Sequence, residues 1–165
     1  MSKLHALTGT LLWVVSFGAY AHCPLACSYY LDGHDAGDGM GAMIDFETRR
    51  LSVAGDMFVL DPCHEARIGV CFSSDYMSFK GPSADARSWT HDGSKFLLKG
   101  HRKLVLARDE ICADVIHSTQ KVGEFEFIFS DKHGLLGWRL SYQTLEGEPA
   151  TYEYLLPNLS LAPAN

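Results

Sequence analysis

The sequence predicts a mainly β fold: an antiparallel sandwich or small barrel that ends in a three-stranded meander and carries a disulfide-tethered N-terminal arm. Three observations lead there. From Ile44 onward the dominant hydrophobic period is two, the signature of strands with one buried face. Short apolar runs are separated at regular intervals by glycine- and aspartate-containing turns. All five cysteines lie beyond an N-terminal apolar segment that reads as an export signal.

That first segment comes first in the argument. Lys3 and His5 form a short polar start, and Leu7 to Phe17 is apolar apart from Thr8, Gly9, Thr10 and Ser16. Ala19-Tyr20-Ala21 supplies a small–x–small cleavage pattern. The run is shorter than the roughly 20 apolar residues that cross a bilayer. Residues 1–21 are therefore expected to be a signal peptide, and the protein to be periplasmic or secreted. The competing reading is a buried helix opening a cytosolic domain. Lipoprotein processing fits poorly, because bulky His22 precedes Cys23 and Pro24-Leu25-Ala26 precedes Cys27. Removing 21 of 165 residues would leave 144, with His22 first.

Residues 22–42 are expected to form an arm or loop. They carry Cys23 and Cys27 and then DGHDAGDGMG, with four glycines in ten residues. Residues 43–165 are expected to form a single β-rich domain. Its first runs are Met43 to Phe46, Leu51 to Ala54 and Met57 to Leu60, followed by the alternation of Ile68, Val70 and Phe72. Phe96 to Leu98 and Leu104 to Leu106 bracket Gly100 and suggest a hairpin. Asp109 to Gln120 is compatible with helix or strand, since Ile111, Val115 and Ile116 suit a helical face while β-branching favours a strand.

The clearest pattern comes last. In Glu124 to Ser130, Phe125, Phe127 and Phe129 share one face and both glutamates the other. A turn at Asp131 to Gly134 returns the chain through Leu136, Trp138, Leu140 and Tyr142, and Glu146 to Pro149 turns it again into Tyr152, Tyr154 and Leu156. This is the predicted meander.

Composition narrows the function. Apolar residues at 47% and aromatics at 12% exclude a disordered chain. Without Lys3, 20 acidic and 13 basic residues leave a net charge of −7. The one basic cluster, Lys99 to Lys103, sits on an apparent turn. Nucleic acid and anionic membrane are therefore poor partners, and a basic protein is a good one.

Cys23, Cys27, Cys63, Cys71 and Cys112 make an odd set, allowing at most two bridges in fifteen arrangements. The short Cys63–Cys71 loop and a long link from Cys112 to Cys23 or Cys27 are preferred. None of these spacings matches a zinc finger or a thioredoxin-type motif.

An N-terminal His22 could chelate Cu(II) through its amine and imidazole, with a second histidine among His34, His64, His91, His101, His117 and His133. Asp32, Asp35 and Asp38 invite a calcium reading, but the EF-hand spacing fails at its twelfth position. Hydrolase signatures are absent. Asp131 with His133, Thr90-His91-Asp92 and the pair Glu124 and Glu126 are the loose combinations available. Asn158-Leu159-Ser160 is a glycosylation acceptor sequence.

Three readings result. The first is an exported, disulfide-stabilised, non-catalytic binding protein of the cell envelope, such as an inhibitor or immunity-type protein, meeting a protein partner through displayed aromatics such as Tyr142, Tyr152 and Tyr154. The second is a copper-binding or copper-dependent protein built on His22. The third is a hydrolase with an unrecognised site. No cofactor other than copper is suggested.

Overall fold

The computed structural model describes residues 26–31, 41–63, 71–83 and 85–161. The expected signal peptide, His22, Cys23 and most of the aspartate–glycine stretch lie outside the described residues, as do Ile68 and Val70.

The fold is mainly β, with fourteen strands and no helix among the described residues. In chain order they are β1 (Ala26–Leu31), β2 (Ala42–Asp45), β3 (Arg50–Val53), β4 (Asp56–Val59), β5 (Asp61–Pro62), β6 (Cys71–Ser73) and β7 (Phe79–Lys80). There follow β8 (Ser88–His91), β9 (Ser94–Leu106), β10 (Asp109–Thr119), β11 (Glu124–Ser130), β12 (Gly134–Gln143), β13 (Pro149–Leu155) and β14 (Leu159–Leu161). One antiparallel sheet runs β14-β9-β10-β11-β12-β13-β1-β2-β3-β4, with β8 also paired to β9, and β5-β6-β7 form a second, small sheet.

The expected meander is β11-β12-β13. Phe125, Phe127 and Phe129 face inward opposite Leu140, Trp138 and Leu135, and all six are buried. The ambiguous segment Asp109 to Gln120 is strand β10, which buries Ala113, Ile116 and Ser118.

Two expectations are corrected. Part of the presumed arm is strand β1, because Cys27, Tyr29 and Leu31 alternate with outward residues and all three enter the core. Nor is Gly100 a hairpin turn. It lies within the continuous strand β9, opposite Val115, and the register shift beside it leaves Lys99 as the extra residue of a β-bulge. The basic cluster thus sits in a strand, and its side chains meet acids: Lys103 Nζ is 3.0 Å from Glu110 and His101 Nδ1 is 2.7 Å from Asp114.

The large sheet curls around the small one. Tyr76 contacts Phe58 of β4 at 5.3 Å between ring centroids and Phe125 of β11 at 6.0 Å. In a flat sheet those strands, six steps apart, would be separated by ~29 Å. Phe72 and Phe79 of the small sheet fill the interior against Phe46, Phe96, Phe127 and Phe129. The Gln120 amide fixes this plug by accepting from Ser78 N and donating to Ser78 O, both at 2.8 Å.

Candidate functional site

Cys63, Cys71 and His91 meet where the small sheet touches β8. Cys71 opens β6 and Cys63 follows β5, and these paired strands bring the two α-carbons to 5.5 Å and join the sulfurs as the expected disulfide. His91 comes from a local device. Asp92 and Gly93 both have positive φ and close a two-residue hairpin between His91 and Ser94. Trp89, two residues earlier on the same face, stacks on Phe96 at 5.8 Å and donates from its indole Nε1 to Lys80 O at 2.8 Å. These anchors hold β8 against β7 and aim the His91 imidazole at the bridge.

His91 Nε2 stands 3.7 Å from Cys63 Sγ, 3.6 Å from Cys71 Sγ, 3.2 Å from Ser73 Oγ and 3.2 Å from the carbonyl oxygen of Phe72. Cys71 is buried, whereas Cys63 and His91 are partly open to solvent. The cluster therefore combines a redox-capable bond, an imidazole and a route for a small reagent to one of its two sulfurs. His64, adjacent to Cys63 in sequence, lies outside the described residues. Sequence alone did not bring His91 to the two cysteines; the signal that places it is Asp92-Gly93 immediately after it, a strong hairpin cue.

A second feature is the open margin of the large sheet. Among the described residues nothing pairs with the outer edge of β4. Met43, Ser52 and Met57 form one cross-strand row on the outward face, and Asp45, Arg50 and Val59 the next. Val59 is 73% exposed and Met57 55%, so this margin displays apolar side chains beside unpaired peptide groups. Asp45 holds its turn by accepting from the backbone nitrogens of Glu47 and Thr48 at 2.9 Å, and these hydrogen bonds keep its carboxyl below the usual range.

A third feature is a concavity of about 470 Å³ on the outer face of β9 to β14, floored by Leu104, Ile128 and Leu155. Arg139 reaches Glu153 at 3.3 Å and Glu126 at 3.9 Å, and Arg102 reaches Glu126 at 3.7 Å. Its two cations, Arg102 and Arg139, are thus answered by its own Glu153 and by neighbouring Glu126.

The remaining expectations are placed as follows. Cys112 is exposed with a free thiol, so the long bridge from it is corrected. It lies on β10, which pairs with β9 and β11 and not with β1. Cys27 is bridged, and its partner lies outside the described residues. Tyr154 is corrected from displayed to buried: it is 3% exposed and stacks on Trp138 at 5.1 Å. Tyr142 and Tyr152 stack on each other at 6.0 Å and stay half-buried.

Members of two of the loose hydrolase combinations are engaged elsewhere. Glu124 faces His117 at 3.8 Å while Glu126 is engaged by the arginines, and His91 turns to the disulfide. His133 is buried. No protein-family model, curated protein or solved structure matches the chain.

Proposed function

We propose that this chain is an exported, disulfide-stabilised binding protein that acts without catalysis, as an inhibitor or immunity-type protein of the cell envelope, and that it takes an extended basic segment of a partner protein along β4. The open edge of β4 carries this reading. Ala54 and Gly55 both have positive φ and close a two-residue hairpin, making Val53 and Asp56 the first hydrogen-bonded pair. Leu51 and Phe58 form the next such pair. The N–H and C=O groups of Met57 and Val59 consequently point away from β3, where no described strand pairs with them and an added strand can.

Chemistry on the margin selects the occupant. Met43, Met57 and Val59 offer apolar contact, with Asp45, Asp56 and Asp61 along the same strands and Arg50 directly opposite Val59. A net charge of −6 on the whole chain works against self-pairing and draws a cationic segment. Exposed apolar edges are otherwise an aggregation hazard, so a partner that covers this one also accounts for its persistence.

Val59→Pro is the decisive variant, because it removes an outward N–H without touching the β3–β4 ladder. The expected result is a partner recovered from an envelope extract by the native protein, identified by mass, and bound in purified form at least about tenfold more weakly by the variant. Equal binding by both proteins, or no partner for either, would overturn the reading.

A further inference from the structure

We infer that Cys63, Cys71 and His91 form a redox-gated zinc site, closed while the disulfide is intact and opened by reduction. This goes beyond the binding function and does not depend on it.

The geometry of the imidazole carries the inference. In a tetrahedral zinc site with Zn–S near 2.3 Å and Zn–N near 2.0–2.1 Å, the sulfur-to-nitrogen edge is about 3.6 Å. His91 Nε2 already lies 3.6 Å from Cys71 Sγ and 3.7 Å from Cys63 Sγ. The same nitrogen thus stands at about that edge length from both sulfurs, and coordination requires the two sulfurs to part to the roughly 3.8 Å of a tetrahedral S–S edge.

The scaffold is suited to hold that position after the bond opens. The strand pairing that brings Cys63 and Cys71 together includes a hydrogen bond from Cys63 N to Cys71 O, so it does not rely on the bridge alone. β8 is fixed independently through Trp89. Three protein ligands leave a fourth position open on the solvent side, where Cys63 and His91 are accessible.

The opening reaction is thiol–disulfide exchange. One thiolate of a dithiol reductant attacks Cys63 Sγ, the more accessible sulfur, and the Cys63–Cys71 bond breaks to release Cys71 as thiolate. The second thiolate of the reductant then attacks the mixed disulfide, closes the reductant's own disulfide and frees Cys63. Two electrons pass to the protein, the dithiol is oxidised, and both cysteines take up protons. Zn²⁺ displaces those two protons as it binds both sulfurs, and His91 completes the set through Nε2, which gives up its contact with the Phe72 carbonyl oxygen as the ring proton moves to Nδ1.

The test uses the full chain with Cys112→Ser, which removes the free surface thiol. Oxidised and dithiol-reduced samples, freed of reductant without air, are titrated with Co²⁺ and then Zn²⁺. The reduced protein is expected to give a tetrahedral thiolate–cobalt spectrum at one equivalent, which Zn²⁺ then abolishes. The oxidised protein is expected to give none. His91→Ala should weaken zinc by more than the roughly 10–100-fold lost with an outer-shell partner.

Thermal unfolding keeps the test decisive should reduction loosen the fold, because zinc must then raise the melting temperature of reduced protein alone. The inference is overturned if the reduced protein shows no tetrahedral spectrum and no thermal shift. It is equally overturned if Cys63→Ser/Cys71→Ser retains the zinc, or if His91→Ala binds as tightly as the parent.

Discussion

Tyr29 donates its phenolic proton to the carbonyl oxygen of Leu135, 106 residues later in the chain, across 3.1 Å of the closed core. The same ring lies edge-on to Trp138 at 4.7 Å. β1 is thereby tied to the meander it would otherwise touch only through two paired residues of β13. Tyr29→Phe keeps the packing and removes only the donor, leaving a buried carbonyl unpaired. Stability should fall by about 1–2 kcal/mol, read as a lower urea midpoint with unchanged slope. An unchanged midpoint would mean that the hydrogen bond contributes nothing net.

Alkaline pH should unfold the protein earlier than its surface charges require. Burial raises the ionisation of the Tyr29 and Tyr76 phenols above the ordinary value near 10, with the charge of Tyr154 adding to the effect at Tyr76. A raised folded value favours the protonated form, so the stabilisation is complete below pH ~10 and is lost as pH rises beyond it. The unfolding free energy from urea titrations should be flat from pH 7 to about 9.5, then decline by up to ~1.4 kcal/mol per pH unit for each buried tyrosine. Tyr29→Phe should reduce that slope, and a slope identical to the parent's would count against the assignment.

Gly137 leaves no room for a side chain between β12 and β13. A β-carbon built there would run into the carbonyl oxygen of Tyr154 and lie 2.8 Å from the Leu155 side chain. Backbone cannot yield as a flexible side chain does. Gly137→Ala should therefore cost about 1–3 kcal/mol, through displacement of β13 from β12. Gly55→Ala, with open space around its β-carbon but a φ of 91°, should cost less and act through backbone strain alone.

What the sequence made legible followed period and turn chemistry. Phe125, Phe127 and Phe129 sit in an uninterrupted alternation, and the meander they open is where it was expected. Cys63 and Cys71 were readable as a pair because a short loop leaves few alternatives. β1 was harder to read, since its buried set of Cys27, Tyr29 and Leu31 is short and adjoins a glycine-rich stretch. Gly100 misled because a bulge and a turn use the same residue, and only pairing to Val115 distinguishes them. The candidate centre joins Cys63 and Cys71 to His91 through three separate strands, a contact that no local spacing encodes. Strand order was the missing quantity for Cys112 as well: its distance along the chain says nothing of the strands lying between β10 and β1.

The cysteines give the last prediction, because the two positions should behave oppositely. The Cys63–Cys71 bridge closes a loop of sequence separation 8, for which restriction of the unfolded chain contributes about 2–3 kcal/mol. Replacing both cysteines by serine should lower stability by that amount without altering the folded strands. Cys112 projects into solvent without a bridge, so Cys112→Ser should change stability by no more than ~0.5 kcal/mol. Alkylation of the native, unreduced protein followed by peptide mapping checks the same assignment independently. Label should fall on Cys112, while Cys63 and Cys71 should be recovered as one cross-linked peptide. Protection of Cys112, or a stability loss on Cys112→Ser comparable to that of the double variant, would place it in a bridge and reverse the arrangement argued from strand order.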